Sequence, residues 1–325
     1  MSVLAFAELR ERRFPKATLE VISYAAELAA QEGLPTVAVV AGHPEDASQH
    51  EHLLRHGADK IVQLTDDQLD TFNNSAYTKA LASVVEQESS TYVVLPSGFN
   101  SKTLAPRLAA RLKAPLATNV IAMPDAGEPF TVKRGVYSGK GYEFLQMEGR
   151  PRLIAIATNS HGVKEHPKAG SVEEREAGIS EQDFTTKTLE VSQSSGEVAL
   201  PEAEIVISGG RGMKGPENWH HIEELAKELG ASTACSKPVS DMEWRPHSEH
   251  VGQTGISISP NLYIAVGISG AVQHLAGVSS SKVIVAINKD PEAPFFKAAD
   301  YGIVGDAFEV LPKLLDAAKK MKTEA

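Results

Sequence analysis

The stretch that decides the fold runs from residue 251 to residue 290 and reads VGQTGISISPNLYIAVGISGAVQHLAGVSSSKVIVAINKD. It predicts buried strands over Leu262–Val266 and Lys282–Ile287. Between them it predicts a glycine turn and a short helix, Ala271–Ala276, that Gly277 ends. A helix that joins two parallel strands and begins at glycines offers unpaired backbone amides to a phosphate, and the missing Cβ atoms allow close approach. The stretch therefore predicts a phosphate-binding turn, although glycine turns of this kind also occur without a ligand.

A second glycine turn precedes this stretch. Ile205–Ser208 reads as a strand, and Gly209-Gly210-Arg211-Gly212 turns it into a helix. In parallel α/β sheets the turns at the carboxyl ends of strands face one crevice, where dinucleotides bind. Arg211 would bring a fixed cation to that crevice, and Asn288 and Asp306, each just past a predicted strand, would supply an amide and a carboxylate to an adenosine. These residues predict a cofactor that contains a nucleotide, without deciding which one.

Composition is typical of an ordinary globular protein. The chain has 325 residues, enough for two domains, of which 42% are hydrophobic and 23% charged. A formal net charge of -10 predicts no nucleic-acid partner. No apolar run approaches the roughly 20 residues that cross a bilayer, and the N-terminus enters a strand directly, so neither a membrane span nor a signal segment is expected. The single cysteine, Cys235, predicts no internal disulfide and a reducing, cytoplasmic location.

The first half of the chain alternates short apolar strands with helical patterns, which predicts a largely parallel sheet covered on both faces. From Thr118 to Thr158 the pattern becomes β-rich, which predicts hairpins added to the sheet edge. Residues 161–182 are polar and predict a solvated loop or lid, and residues 184–191 read as a strand. The Ser/Gly-rich run 192–197 is the best linker candidate.

The predicted architecture is therefore α/β with two domains, each a mainly parallel sheet flanked by helices, the second of them doubly wound. The first domain covers residues 1–191, a linker residues 192–203, and the second domain residues 204–325. Residues 246–250 contain two histidines and a glutamate, but no further ligand stands at a fitting spacing, so no metal site is predicted. No Ser/His/Asp or Cys/His set supports hydrolysis, and no catalytic residue is predicted.

The run LYIAVGISGAVQHLAGVSSSKVIVAIN, residues 262–288, resembles the sequence typical of the alpha subunit of electron-transfer flavoproteins, the family that includes the nitrogen-fixation protein FixB. The similarity extends upstream through VGQTG at residues 251–255 and downstream through NKDPEAP at 288–294 and ADYGIVGD at 299–306. It covers essentially the whole chain. The resemblance implies a redox carrier for electron transport rather than an enzyme, with FAD bound to the second domain.

The resemblance also implies positions around the flavin. Thr254 would lie near flavin N5 and His274 near the O2 carbonyl, while Ser269 to Val272 would hold the pyrophosphate and Asn288 and Asp306 the adenosine end. A donor or positive group near N1 and O2 stabilises the negative charge that reduction adds to the ring. The implied cofactor-binding residues are Arg211, Ser236, Lys237, Val251, Gly252, Gln253, Thr254, Ser269, Gly270, Ala271, Val272, Gln273, His274, Asn288, Asp306 and Ala307.

The chain departs from the family pattern at one position that matters. Members usually carry a Ser-Arg pair where this chain has Ser236-Lys237, and that arginine normally lies against the isoalloxazine. Lysine keeps the charge but loses the planar donor fork. The resemblance therefore implies FAD binding and leaves the potential of the flavin open.

The implied partners make this chain half of a working carrier. A beta subunit, which commonly holds AMP, would pack beside the first domain. The heterodimer would take electrons from acyl-CoA dehydrogenases or similar flavoenzymes, as in fatty acid beta-oxidation, and pass them to a quinone oxidoreductase. The alternative is a subunit of an electron-bifurcating flavoprotein that oxidises NADH, whose additional FAD would lie mainly in the beta subunit.

Overall fold

The computed structural model describes residues 1–125, 127–137, 139–190 and 200–324. Within those limits the chain divides into two units, one of residues 1–136 and 142–190 and one of residues 137–141 and 200–324. Each unit has its own sheet with helices packed on it, and the predicted α/β fold class is confirmed. No helix in the described part of the chain is long and apolar enough to cross a membrane.

The first unit is a mostly parallel sheet in the order β7-β6-β5-β8-β4-β1-β2-β3-β9. Its strands are β1 (Ser2–Ala7), β2 (Thr36–Ala41), β3 (Lys60–Leu64), β4 (Ser90–Pro96), β5 (Leu116–Val120), β6 (Thr131–Val136), β7 (Gly141–Gln146), β8 (Arg152–Ile156) and β9 (Ser171–Arg175). Its helices are α1 (Lys16–Glu32), α2 (Ser48–Arg55), α3 (Asn74–Gln87) and α4 (Phe99–Leu112).

The central strands of this sheet are buried on both faces. Leu4 and Phe6 of β1 belong to the apolar cluster that also contains side chains of α3 and α4. Val3 and Ala5 of the same strand belong to the cluster on the opposite face, which contains side chains of α1. Burial on both faces explains why β1 reads as a continuous apolar run rather than as an alternating one.

Residues 171–175 form an edge strand, so the prediction of a loop or lid over 161–182 is wrong for them. β9 pairs in parallel with β3, with Val172 opposite Ile61. Its polar side chains are held by ion pairs, because Lys60 Nζ lies 2.8 Å from Glu173 Oε2 and Arg175 pairs with Glu88. Hydrogen bonds from Arg175 and then Lys60 lower the pKa of Glu173 to about 2. A strand built from charged residues carries no apolar pattern, and the sequence therefore did not reveal it.

Two further predictions about the first unit need correction. Residues 184–190 form no strand, and Phe184 instead packs against the core that contains α3. The predicted hairpin region does place β7 and β6 at the sheet edge, but β5 and β8 pair in parallel with each other. β8 also pairs in parallel with β4, so it lies inside the sheet rather than on a hairpin.

The second unit is an all-parallel sheet in the order β11-β10-β12-β13-β14. Its strands are β10 (Ile205–Gly209), β11 (Ser232–Cys235), β12 (Leu262–Val266), β13 (Val283–Asn288) and β14 (Tyr301–Val304). Its helices are α5 (His220–Leu229), α6 (Lys237–Asp241), α7 (Val272–Val278) and α8 (Ala307–Glu324).

Helices cover both faces of the second sheet. Trp219, Ile222 and Leu311 pack with Ile207 and Val266 on the face of α5 and α8. Tyr263, Val278 and Phe295 pack on the opposite face, together with Leu200 and Ala203. Leu200 and Ala203 therefore belong to the core of the second unit, although both fall inside the predicted linker, whose residues 192–199 lie outside the described residues.

The buried carboxylate of Glu20 ties α1 to the segment that follows β8. Only 2% of Glu20 is exposed, and its two oxygens accept hydrogen bonds from the amides of Asn159 at 2.9 Å, His161 at 2.8 Å and Gly162 at 2.9 Å. Because α1 covers one face of the first sheet, these bonds fix the chain as it leaves the sheet.

We expect Glu20→Ala to destabilise the first unit by about 3 kcal/mol or more, because it leaves three amides without their shared acceptor. Urea unfolding followed by circular dichroism measures the loss. Glu86→Ala, which removes an exposed glutamate from α3, is the matched control and should change the unfolding free energy by less than about 0.5 kcal/mol. Equal stabilities of the two variants would contradict the structural role of Glu20.

Candidate functional site

Two glycine turns meet where the strand order of the second sheet reverses. The chain leaves β10 to form β11 on one side and returns to form β12 on the other, so the carboxyl ends of β10 and β12 flank the crevice in which such sheets bind ligands. The amide of Gly210 donates to the carbonyl of Val266 at 2.8 Å. The amide of Gly212 donates to the carbonyl of Gly267 at 3.0 Å. A Cβ atom on Gly210 would lie 2.2 Å from the oxygen of Gly267, so the two turns can meet only as glycine backbone.

The short helix α7 begins beside this crevice without a side-chain cap. Ala271 precedes the helix and offers no capping hydrogen bond, and amides at the start of a helix have no partner within it. Gly270 has a φ of +86°, and a Cβ there would lie 2.4 Å from the amide nitrogen of Phe295. That amide donates to the carbonyl of Ser269 at 3.1 Å. Gly270 is therefore needed for the contact with Phe295, which is a reason for glycine that the sequence did not show.

The loop of residues 251–255 lies against α7. The amide of Gln253 donates to the carbonyl of Gln273 at 2.7 Å. A Cβ on Gly277 would lie 2.6 Å from the Cα of Gly252, so Gly277 lies inside α7 as a contact point and does not end the helix as predicted. The structure thus brings together two predicted groups of site residues that β12 separates in sequence.

His274 is buried behind this loop and bonded to a tyrosine. Its Nε2 lies 2.7 Å from the hydroxyl of Tyr263. Burial, with a smaller effect of His250, lowers the pKa of His274 to about 4, and burial raises the pKa of Tyr263. Both groups are therefore neutral near pH 7. If the tyrosine hydroxyl donates to Nε2, the ring proton of His274 resides on Nδ1.

The Nδ1 atom of His274 is buried and has no hydrogen-bond partner in the described part of the chain. The backbone of Val251 faces the ring and opposes the lowering of its pKa, but it makes no hydrogen bond of ordinary geometry with Nδ1. A buried polar atom without a partner costs free energy, so Nδ1 is an unsatisfied group at this edge of the sheet.

Ser236 and Lys237 follow β11 on the same side of the sheet. The amide of Ser236 donates to the carbonyl of Gly209 at 3.0 Å, which places the start of α6 beside the first glycine turn. Lys237 is exposed and is the first residue of α6. Burial lowers the pKa of His250, and the ammonium of Lys237 adds to that lowering, so the cation lies within electrostatic reach of the interior of the site.

The last two strands contribute Asn288 and Asp306. The side-chain amide of Asn288 donates to the carbonyl of Ile268 at 3.0 Å. Asp306 Oδ1 accepts from the amide of Phe308 at 3.0 Å, and Asp306 Oδ2 lies 3.7 Å from Lys214 Nζ. The backbone hydrogen bond and then the charge of Lys214 lower the pKa of Asp306. Both side chains are thus held in place before any ligand arrives.

The predicted site residues lie at the carboxyl edge of the second sheet, most of them at strand ends or in the turns and helix starts that follow, whereas residues 251–254 reach the edge through the loop that contacts α7. Lys214, which the sequence analysis missed, lies at the same edge, and its signal was its position three residues past Arg211 in the first turn. The exposed members are Arg211, Lys237, Gln253, Thr254, Ser269, Ala271, Val272 and Gln273. The buried members, which shape the edge, are Ser236, Val251, Gly252, Gly270, His274 and Ala307.

This donor set fits a long anionic cofactor such as FAD. Uncapped amides at α7 and the cations Arg211 and Lys214 suit a pyrophosphate. The exposed apolar side chain of Val272 and the hydroxyl of Thr254 offer an apolar and a polar contact to a flat ring. The cradle of glycines leaves no side chain that would block backbone approach at the switch point.

A cavity of about 390 Å³ lies elsewhere, in the first unit. It is lined by charged residues that include Arg13, Glu45 and Asp46, and Arg13 pairs with Glu45. No sequence motif accompanies it, whereas glycine turns, uncapped amides and a buried unpaired donor coincide at the second sheet. The carboxyl edge of the second sheet is therefore the candidate site.

Comparison with known proteins agrees with this assignment. Residues 3–180 match the family model described as the electron transfer flavoprotein domain, and residues 199–279 match that of the electron transfer flavoprotein FAD-binding domain. The chain is 37% identical over 323 residues to the electron transfer flavoprotein subunit alpha of Bacillus subtilis (strain 168), which covers 98% of each chain.

Other relatives agree along the same length. The alpha subunit of Thermoanaerobacterium thermosaccharolyticum is 35% identical over 322 residues, which cover 98% of this chain and 97% of the relative. Protein FixB of Clostridium saccharobutylicum is 34% identical over 327 residues, which cover 98% of this chain and 96% of the relative. With its glycine-lined switch point inside the part that matches the FAD-binding model, the chain belongs to the electron transfer flavoprotein alpha subunit family.

Proposed function

We propose that this chain is the FAD-carrying half of a heterodimeric electron carrier. The observation that carries the proposal is the meeting of Gly210 and Gly267 beside the uncapped start of α7, within the residues that match the FAD-binding model. A beta subunit of the same family completes the carrier. The electrons come from acyl-CoA dehydrogenases or similar flavoenzymes and leave to a quinone oxidoreductase, and the compartment is the cytoplasm.

The proposed domain roles follow from the two matched regions. The first domain, residues 1–191, packs on the beta subunit, residues 192–203 join the domains, and residues 204–325 hold FAD. The match of residues 3–180 to one family model and of residues 199–279 to another supports this division.

Within the second domain, each group of residues has a proposed part in holding FAD. The amides from Ser269 to Val272, together with Arg211, hold the pyrophosphate, because an anion compensates the unpaired donors at a helix start. Asn288 and Asp306 hold the adenosine end from positions already fixed by protein hydrogen bonds. Gln253 and Thr254 reach the flavin ring from the loop that rests on α7.

The neutral state of His274 decides how it acts on the flavin. Bound FAD supplies reversible one-electron transfer at low potentials that amino-acid side chains do not reach. Because its pKa lies near 4, His274 meets the O2 carbonyl as a hydrogen-bond donor and not as a cation. The positive charge at the ring end therefore comes from Lys237, an exposed ammonium at the start of α6.

Purification of this chain with its beta subunit tests the proposal. We expect a yellow heterodimer with one FAD, whose absorbance bleaches when an acyl-CoA dehydrogenase and its substrate are added and recovers with a quinone reductase. Two flavins per heterodimer and bleaching by NADH would favour the bifurcating alternative. A colourless heterodimer that takes up no added FAD would contradict both functions.

We expect Gly270→Val to abolish FAD binding while the first domain stays folded. The new side chain would collide with the Phe295 backbone and would be forced into a positive φ, which displaces the amides at the start of α7. Flavin absorbance per heterodimer gives the occupancy. Gly149→Val, at a φ of +85° with open space around it, is the matched control and should keep its flavin. Full occupancy in Gly270→Val would show that this turn is not part of the site.

We expect Lys237→Ala to lower the midpoint potential of bound FAD, because an ammonium near the ring favours the negative charge added on reduction. The loss should be on the order of 1 kcal/mol, equivalent to about 40 mV for one electron. Lys237→Arg should keep or raise the potential. Spectroelectrochemical titration measures all three proteins, with Lys227→Ala, at the far end of α5, as the control. Identical midpoint potentials in Lys237→Ala and the parent would show that the Lys237 ammonium points into solvent and does not act on the flavin.

A further inference from the structure

His250 is a buried histidine that the proposed function does not yet use. Only 2% of it is exposed, and it lies where the chain returns from α6 to the sheet. It forms an isolated bridge with Cys235 at the end of β11, and its carbonyl accepts from the amide of Ile256 at 2.8 Å. The loop of residues 251–255 therefore follows directly after His250, and its far end is hydrogen-bonded back to the carbonyl of His250.

The same loop wraps around the imidazole of His250. A Cβ on Gly255 would lie 2.7 Å from Nδ1 and 2.9 Å from Cγ, and a Cβ on Gly252 would lie 3.4 Å from Nε2. Gly255 fits this closely against the ring because it has no side chain, and Gly252 lies at ordinary contact distance from Nε2. The opposite side of the loop is bonded to α7 through the amide of Gln253. The residues that display Thr254 are thus held between the ring of His250 and α7.

Titratable groups face His250 from each element packed around it. They are Lys237 and Asp241 of α6, the ring of His247 at a centroid distance of 5.3 Å, and His274 of α7. Burial lowers the pKa of His250. The positive charges of His247 and Lys237 lower this pKa further, whereas the carboxylate of Asp241 raises it. Its Nδ1 is buried and has no hydrogen-bond partner among the described residues. His250 is therefore neutral near pH 7 and has an unused ring nitrogen.

We propose that His250 is a positioning residue for the flavin and that a proton bound at its ring is linked to the reduction of FAD. This inference rests on the proposed function, because it takes FAD to lie against the 251–255 loop. The electron comes from the partner flavoenzyme and the proton from bulk water. The only bond formed at His250 is an N–H bond, and none is broken in the protein.

The direction of the linkage follows from electrostatics. Reduction places negative charge in a site of low dielectric, and a nearby negative charge favours the protonated form of a histidine. The reduced protein therefore binds a proton at His250 more tightly than the oxidised protein. By reciprocity, lowering the pH favours reduction, so the midpoint potential rises as the pH falls through the range in which His250 takes up this proton.

The test replaces the ring by side chains that cannot take up this proton. His250→Gln removes the titration and the ring, whereas His250→Phe removes the titration and keeps a flat ring under the loop. His220→Gln removes an exposed histidine of α5 and is the matched control. FAD dissociation constants and midpoint potentials are measured for each heterodimer from about pH 5 to about pH 8.

We expect both His250 variants to show a smaller rise in potential at low pH than the parent, keeping the rise that proton uptake by the flavin itself produces, while His220→Gln follows the parent. His250→Gln should also bind FAD about tenfold more weakly, because the loop loses its support. His250→Phe should bind more tightly than His250→Gln, because the ring volume is restored.

Two outcomes would overturn the inference and can be told apart from failure of the proposed function. If the parent holds FAD and all variants show its pH dependence, His250 takes up no linked proton. If FAD affinity is equal in the parent and both His250 variants, the ring does not position the loop. A parent heterodimer without FAD would instead overturn the proposed function itself.

Discussion

The structure of the second unit depends on the approach of one backbone turn to another. The turn after β10 and the turn after β12 are joined by hydrogen bonds between their main chains, and the space between them would not hold a single additional methyl group. Because the chain connections of these neighbouring strands run in opposite directions, a crevice opens at their carboxyl ends, and the two turns line it. Because only glycine backbone lines the crevice at this point, a helix start and a loop can lie close beside it.

This constraint explains why the buried polar groups of the site are neutral. The turns and the loop on α7 exclude water, so an ionised side chain beneath them would lose its hydration. His274 and Tyr263 are therefore uncharged, and they are hydrogen-bonded to each other. The charges remain at the surface of the edge, where water still reaches them. The site therefore combines a buried, neutral interior with exposed cations at its rim. The interior can recognise the shape of a ligand, and the rim can recognise its negative charge.

The sequence predicted the structure correctly where a run of residues is compatible with only one environment. The run Leu262–Val266 was predicted to the residue, because a strand buried on both faces must be apolar throughout. The positions of the two glycine turns at one edge followed from the parallel alternation of strands and helices. β9 could not be found in this way, since ion pairs and not burial hold its side chains. The contacts of Gly270 with Phe295 and of Gly277 with Gly252 were equally invisible, because they join segments whose separation in space no local pattern encodes.

The charged strand at the border of the first sheet has a consequence for how the protein behaves among its own copies. An apolar border strand invites a passing chain to add itself to the sheet, which is the first step towards a fibre. At β9, a strand from another chain would have to pack against hydrated ion pairs in which Lys60 and Arg175 already neutralise Glu173 and Glu88. Four of the five residues of β9 are polar or charged, and they separate the apolar strands behind them from other chains, so those strands can be as hydrophobic as a buried core requires.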